Sequence, residues 1–154
     1  TEMAAPTFGS RTSFTLSANS LANGSARQSA AVNLGTPVHD VLVGGSVKTA
    51  SGWLSTATPY VNLYAYAKTD GSNYSGGASG SDASYTVPTE WQLKLVATIR
   101  LDAAATTLYM HPVSLARVFG GVMPSDFGLV LHNACGLALD SSAGASFNYQ
   151  TVTF

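Results

Sequence analysis

Apolar residues recur at every second position in two long segments of this chain. In the segment 91–101, the apolar side chains that share one face are Trp91, Leu93, Leu95, Ala97, Ile99 and Leu101. In the segment 60–68, the apolar face carries Val61, Leu63, Ala65 and Ala67, and the opposite face carries Tyr60, Tyr64 and Tyr66. A period of two is that of a β-strand whose two faces meet different environments. We therefore expect the chain to form sheets that bury one face of each strand.

Six more segments predict strands, because turn-forming clusters of Gly, Pro, Asn, Asp and Ser separate them. The background of Ala, Ser, Thr and Gly also lowers helix propensity. We expect one short helix at 113–119, which would close an end of the fold before Gly120 and Gly121 end it. The six further strands are expected at 13–17, 27–34, 38–49, 106–111, 127–133 and 146–154.

About eight short strands and no long helical pattern indicate an all-β fold. We expect an antiparallel β-sandwich with a jelly-roll topology, and another Greek-key connectivity is the alternative. The 154 residues correspond to one domain, which we place at 11–154 behind an N-terminal arm at 1–10. A long Gly/Ser-rich loop at 69–90 would be either a functional contact surface or a flexible hairpin extension.

Charged residues make up only 10% of the chain, against about 25% in a typical soluble protein. The formal net charge is −1 and no basic stripe is present, so we expect no nucleic-acid partner. The sequence contains no run of about 18 apolar residues, and its first residues do not resemble a signal peptide, so we expect no membrane partner. Cys135 is the only cysteine, which excludes an internal disulfide and favours synthesis in a reducing cytosol.

Catalytic and metal-binding motifs are missing or incomplete. No G-x-S-x-G elbow and no phosphate-binding glycine motif occur. Candidate metal ligands are His39-Asp40, His111 and His132-x-x-Cys135, but a closed site needs a second pair of ligands. We expect His132 to face solvent and Cys135 to be a small buried residue. We therefore predict a protein that is not an enzyme and that holds no metal and no cofactor.

Two local patterns indicate structural roles. Gly44-Gly45 inside a predicted strand indicates a bulge or a close backbone contact. Five acidic residues neighbour Gly, Ser or Ala, and we expect them to cap turns: Asp70, Asp82, Asp102, Asp126 and Asp140.

Two features favour recognition of another molecule. The row of Tyr60, Tyr64 and Tyr66 offers flat aromatic rings to a protein interface or a sugar, unless a neighbouring strand or loop buries it. The low charge is typical of interface cores, from which charged residues are depleted. The chain is therefore expected to function in an assembly.

Several segments resemble a family of small virion proteins of tailed bacteriophages. The similar segments are 13–24 with 27–29, 60–66, Asp70-Gly71 with Tyr74, Gly80 and Asp82, 119–124, and 128–131. The resemblance covers most of the chain after the arm. It implies a capsid decoration, or cement, protein that binds the outer shell and stabilises contacts between capsomers.

The resemblance also implies partners and a location. They are the major capsid protein and further copies of the chain in a homotrimer, on the outer capsid surface of the virion. The candidate interface residues are Tyr60, Tyr64 and Tyr66 with Thr7 and Phe8 of the arm. The alternative is a receptor- or carbohydrate-binding module of a phage tail or baseplate, which would use the tyrosine row or the 69–90 loop.

Overall fold

The computed structural model describes residues 4–54, 58–86 and 92–154. Within these ranges, eleven strands and one α-helix form two antiparallel sheets packed face to face. The elements are β1 (Thr7–Phe8), β2 (Thr12–Ser13), β3 (Ala26–Gln28), β4 (Val32–Asn33), β5 (Asp40–Val47), β6 (Tyr60–Ala67), β7 (Ala83–Tyr85), β8 (Lys94–Arg100), β9 (Leu108–Ser114), α1 (Leu115–Val118), β10 (Asp126–Ala134) and β11 (Ala145–Thr153).

The strand order is that of a jelly roll. The five-stranded sheet has the order β1-β11-β5-β9, and β2 also pairs with β11. The six-stranded sheet has the order β7-β3-β10-β6-β8, and β4 also pairs with β10. If β1 with β2 and β3 with β4 are each taken as one interrupted strand, eight strands and the added β7 remain. Those eight interleave as two Greek keys, so the predicted antiparallel jelly-roll sandwich is confirmed.

The core lies between the inner faces of the two sheets. Val41, Val43 and Phe147 of the five-stranded sheet are buried against Leu63 and Leu129 of the six-stranded sheet. Each of these side chains contributes about 1.5–3 kcal/mol when it is fully removed from water. The alternating pattern predicted for 60–68 therefore places its apolar face in this core.

The Gly44-Gly45 pair lies opposite a bulge and makes a close contact. The register between β5 and β9 shifts between Val43 and Gly45, and the extra residue is in β9, where His111 and Pro112 oppose Gly44. A Cβ atom on Gly45 would lie inside van der Waals contact of the Phe147 ring and the Ser146 carbonyl oxygen. A Cβ atom on Gly44 would meet nothing closer than the Pro112 side chain at 4.0 Å.

The prediction that Leu95 faces the core is wrong. Leu63 pairs with Ala97, but Tyr64 pairs with Leu95, so Val96 is an extra residue in β8. This bulge reverses the alternation, and Val96 packs against the core while Leu95 is 53% exposed. Trp91, predicted on the same face, lies outside the described residues.

The helix is shorter than predicted because β9 continues through Ser114. The Ser114 hydroxyl accepts a hydrogen bond from the Arg117 amide at 3.1 Å and caps α1. Asp40 Oδ1 accepts a second one from the Ala116 amide at 2.9 Å. The helix contacts β5 of one sheet and β8 of the other, so it closes the gap between them as expected.

Residues 69–86 pass over the outer face of the six-stranded sheet and end in its edge strand β7, and we call this segment the cover. Ala78 and Tyr85 of the cover, together with Leu93, form a second hydrophobic cluster with Tyr66 and Val130. The predicted alternative of a flexible hairpin therefore does not hold for 69–86, and 87–90 lie outside the described residues. Glycine is needed where the cover approaches the sheet: a Cβ atom on Gly76 would clash with Leu93 and Tyr85.

Polar contacts fasten the cover along its length. The Ser79 amide donates to Gln28 Oε1 at 2.7 Å, and the Ala31 amide donates to the Gly80 carbonyl at 2.9 Å. Asp82 accepts hydrogen bonds from Arg27 Nε at 2.7 Å and from the Ser17 amide at 3.1 Å. Desolvation alone would raise the pKa of Asp82, but the hydrogen bonds from Arg27 and Ser17 outweigh it and lower that pKa.

The two central glycines should respond differently to substitution. We expect Gly45→Ala to lower the free energy of unfolding by about 1–3 kcal/mol, because its methyl group overlaps Phe147 and Ser146. Gly44→Ala is the matched control and should change it by less than about 0.5 kcal/mol. Urea unfolding of both variants measures the difference, and equal effects would contradict this packing at Gly45.

Stability should fall in acid, because folding depresses the pKa values of several carboxyl groups. Hydrogen bonds from Asn73 and Ser72 lower the pKa of Asp70 to about 2, and those from Ser142 and Ala143 lower the pKa of Asp140 to about 2. Folded-state pKa values below the unfolded ones add stability above about pH 4 that is lost as the pH falls towards 2. Urea unfolding at pH 7, 4 and 2.5 should show this decline.

Asp82→Asn provides the control for the cover. The variant should lose about 1–2 kcal/mol at pH 7, since it weakens the hydrogen bonds to Arg27 and Ser17. Between pH 4 and pH 2.5, the free energy of unfolding of Asp82→Asn should fall by less than that of the wild type. A decline in acid as steep as that of the wild type would mean that the Asp82 carboxylate does not stabilise the fold.

Candidate interaction surface

The predicted tyrosine row is not a free surface. The alternation places Tyr66 on the outer face of its sheet as expected, but the cover lies over that face and Tyr66 is fully buried. Its hydroxyl donates to the Ser29 carbonyl at 2.7 Å, and its ring lies across Gly128. Burial raises the pKa of Tyr66 well above its usual range. Tyr66 therefore belongs to the folded interior, and Tyr60 and Tyr64 are half-buried.

Thr7 and Phe8 are on the surface, as predicted, but the segment 7–9 is part of a sheet. Thr7 pairs with Thr153 and Phe8 with Val152, so β1 is the edge strand beside β11. The Gly9 amide extends the pairing by donating to the Thr151 carbonyl at 2.9 Å. Residues 7–9 of the arm expected at 1–10 thus belong to the sandwich. Phe8 nevertheless remains 54% exposed.

The outer face of the five-stranded sheet has no cover like 69–86 among the described residues, and we call it the uncovered face. Along β5 and β11, the outward positions from Leu42 to Ser46 and from Ser146 to Val152 carry uncharged side chains, most of them small or polar. Phe8 lies at one edge of this face, and Tyr109, which is 81% exposed, lies at the other. Its residues are Phe8, Arg11, Leu42, Gly44, Ser46, Tyr109, Pro112, Ser146, Asn148 and Gln150.

A shallow depression of about 370 Å³ lies in the middle of the uncovered face. Gly44 contributes no side chain there, so the floor is backbone. Tyr109 and Pro112 line one side, and Arg11 and Asn148 line the other. The surface thus offers an aromatic ring, an amide and hydroxyl groups around a gap, which suits contact with the protruding groups of another molecule.

The candidate metal ligands do not come together. No cluster of three or more His, Cys, Asp or Glu occurs within 4–54, 58–86 and 92–154. His39 Nδ1 accepts a hydrogen bond from the Phe154 amide at 3.2 Å. Asn133 Oδ1 accepts one from the Cys135 amide at 3.2 Å, and burial raises the pKa of the Cys135 thiol. Cys135 is buried as expected, and His132 is half-buried.

The acidic residues divide between two roles. Asp70 and Asp140 cap turns as predicted, since each accepts hydrogen bonds from backbone amides two and three residues ahead. Asp82 instead ties the cover to Arg27, and Asp126, which is buried, accepts hydrogen bonds from Asn33 and Ser125. These two connect segments that are distant in sequence, so the prediction of turn capping is wrong for them.

Comparison with known proteins adds no family. No protein-family model matches the chain, and the search of curated proteins found no match. In the part of the chain that the structure describes, no helix has the length and apolar character needed to cross a membrane.

Sequence reasoning identified Phe8 but missed Arg11, Tyr109 and Asn148. Arg11 lies about a hundred positions before Tyr109 in the sequence, and Asn148 lies farther on. The strand register brings the three residues onto one face. A usable signal was present in β5 and β11, where most residues between core positions are Gly, Ser, Asn and Gln instead of Lys or Glu. Depletion of charged residues is a property of interface cores.

Tyr66 and Tyr109 should behave oppositely on truncation. We expect Tyr66→Ala to cost roughly 3–5 kcal/mol of unfolding free energy, as for a buried aromatic residue. Tyr109→Ala should change the unfolding free energy by less than about 0.5 kcal/mol, because its side chain is exposed. Urea unfolding distinguishes them, and a neutral Tyr66→Ala would contradict the burial under the cover.

Proposed function

We propose that this chain is a non-enzymatic virion structural protein, a decoration or cement protein that binds the outer capsid surface of a tailed bacteriophage. The observation that carries its role as an interaction module is the uncovered face, with one charged side chain, Arg11, among the residues that line its depression. The resemblance to small phage virion proteins supports the choice of partner, the major capsid protein. Its place would be the particle surface, where it would stabilise contacts between capsomers.

The chemistry of the face supports a packed contact. A solvated antiparallel sheet usually alternates buried apolar residues with charged or polar ones. Here the outward positions at the centre of the face are small, namely Gly44, Ser46 and Ser146, so a partner can approach the backbone closely, and Phe8 and Tyr109 provide apolar area at the two edges. Aromatic residues of this kind are typical anchors of protein interfaces. The copies of the proposed homotrimer would meet elsewhere on the surface.

One observation favours the second candidate, a receptor- or carbohydrate-binding module of a tail or baseplate. Tyr109 lines the same depression as Asn148, Ser46 and Arg11, and an aromatic ring facing amide and hydroxyl groups across a gap suits a sugar. The row of tyrosines expected to serve that function is unsuited to it, because Tyr66 is buried. Binding of glycans to the isolated chain would favour this candidate over the first.

Shell binding tests the proposal. Phage shells prepared without this protein should bind the wild-type chain saturably, and Phe8→Ser or Tyr109→Ser should raise Kd about tenfold or more. Leu95→Ser is the matched control, because Leu95 is similarly exposed but lies on the six-stranded sheet. It should bind as the wild type does.

Binding should also persist at moderate ionic strength, since a neutral surface gains little from long-range charge attraction. Affinity can be measured by co-sedimentation at low and moderate salt. A collapse of binding with salt, or equal losses for Leu95→Ser and Tyr109→Ser, would contradict a contact through the uncovered face.

A further inference from the structure

Arg11 is the one formal charge among the residues that line the depression. Its guanidinium is exposed, and its hydrogen bond to Asn148 Oδ1 is long, at 3.4 Å. The ion pairs among the described residues join Arg27 to Asp82, Lys48 to Asp140, and Lys68 to Asp126, and none includes Arg11. Arg11 therefore has no carboxylate partner within 4–54, 58–86 and 92–154.

Among the described residues, those that line the depression include no acid that could pair with Arg11 of a second copy. The neutral residues among them are Leu42, Gly44, Ser46, Tyr109, Pro112, Ser146, Asn148 and Gln150. Asp40 begins β5, but its Oδ1 already accepts hydrogen bonds from the Val41 amide at 2.7 Å and the Ala116 amide at 2.9 Å. Two such faces pressed together would bring two guanidinium groups into contact, and the residues that line the two depressions would supply no carboxylate.

We infer that the uncovered face docks a different protein chain that presents an acidic side chain to Arg11, and that it does not pair with a second copy of itself. The inference rests on the proposed function and specifies the chemistry of the partner. A charge that is buried without a partner is strongly unfavourable, whereas a carboxylate opposite Arg11 would be paired. Charge complementarity thus selects a foreign surface over a self-contact.

The acidic side chain of the partner would bind in the depression. The depression lies directly beside Arg11, and its floor at Gly44 leaves room for one protruding side chain. The planar guanidinium donates two parallel hydrogen bonds to a carboxylate, which fixes the direction of the approaching group. Asn148 and Ser46, which also line the depression, supply further polar contacts. The partner should therefore carry an Asp or Glu on a raised loop.

Charge variants test this on shells prepared without the protein. Arg11→Gln should raise Kd about tenfold and Arg11→Glu more than that, because the second change places like charges together. Arg100→Gln is the control: Arg100 is exposed on β8 of the other sheet, and binding should be unchanged. Gly44→Leu should also weaken binding by filling the depression, while its urea unfolding shows that it remains folded.

The outcomes separate this inference from the proposed function. If the wild type does not bind shells, the proposed function fails and the inference fails with it. If the wild type binds and Arg11→Gln binds equally well, only the inference is overturned. Self-association of the isolated chain that Gly44→Leu abolishes, measured by sedimentation velocity, would likewise overturn it, as would glycan binding that requires Arg11 and Tyr109.

Discussion

Each sheet of a β-sandwich has an outer face besides the inner face that lines the core. That outer face contacts solvent, another part of the chain or another molecule. The inner faces meet in one core, where the ring of Phe127 in the six-stranded sheet packs edge-on against the ring of Tyr149 in the five-stranded sheet. On the six-stranded sheet, the outer face carries Tyr66 and Val130, and the chain covers them with its own residues 69–86. On the five-stranded sheet, the residues that line the depression of the outer face are neutral except for Arg11, and those at its centre, Gly44, Ser46 and Ser146, are small. This difference between two outer faces underlies both the stability of the fold and the proposed contact.

Six charged residues in the described part of the chain form ion pairs that hold its segments together. Arg27 with Asp82 fastens the cover, Lys48 with Asp140 stabilises the turn before β11, and Lys68 with Asp126 joins the end of β6 to the start of β10. The charge deficit seen in the sequence thus has a spatial pattern. Charge is placed at connections, and the uncovered face retains only Arg11.

Sequence periodicity predicted the sandwich well, because the alternation of 60–68 and the turn residues around each strand are local signals. The close contact at the Gly44-Gly45 pair could also be predicted, since glycine weakens a strand and is typical of places where a neighbour approaches closely. The bulge at Val96 could not be predicted, because no local sequence signal marks the reversal that exposes Leu95. The cover was missed for a related reason. Its glycine residues permit close contacts, as at Gly76 with Tyr85 and Leu93, but a segment rich in Gly and Ser also has the composition of a mobile loop.

The candidate site was harder to predict than the fold. Phe8 was identified from its place near the N-terminus, but Arg11, Tyr109 and Asn148 meet only through the register of β2, β11, β5 and β9. For Tyr66, the sequence left open whether the ring is exposed or lies under a loop, because alternation gives the face of a side chain and does not show what lies over that face. Long-range pairing therefore decides which outward residues are free.

The most direct test is the structure of a decorated shell by electron cryomicroscopy. We expect the outer face of β11, β5 and β9 to lie against the major capsid protein, with Arg11 facing an acidic side chain and the cover directed away. A bound chain whose uncovered face points into solvent would contradict this account.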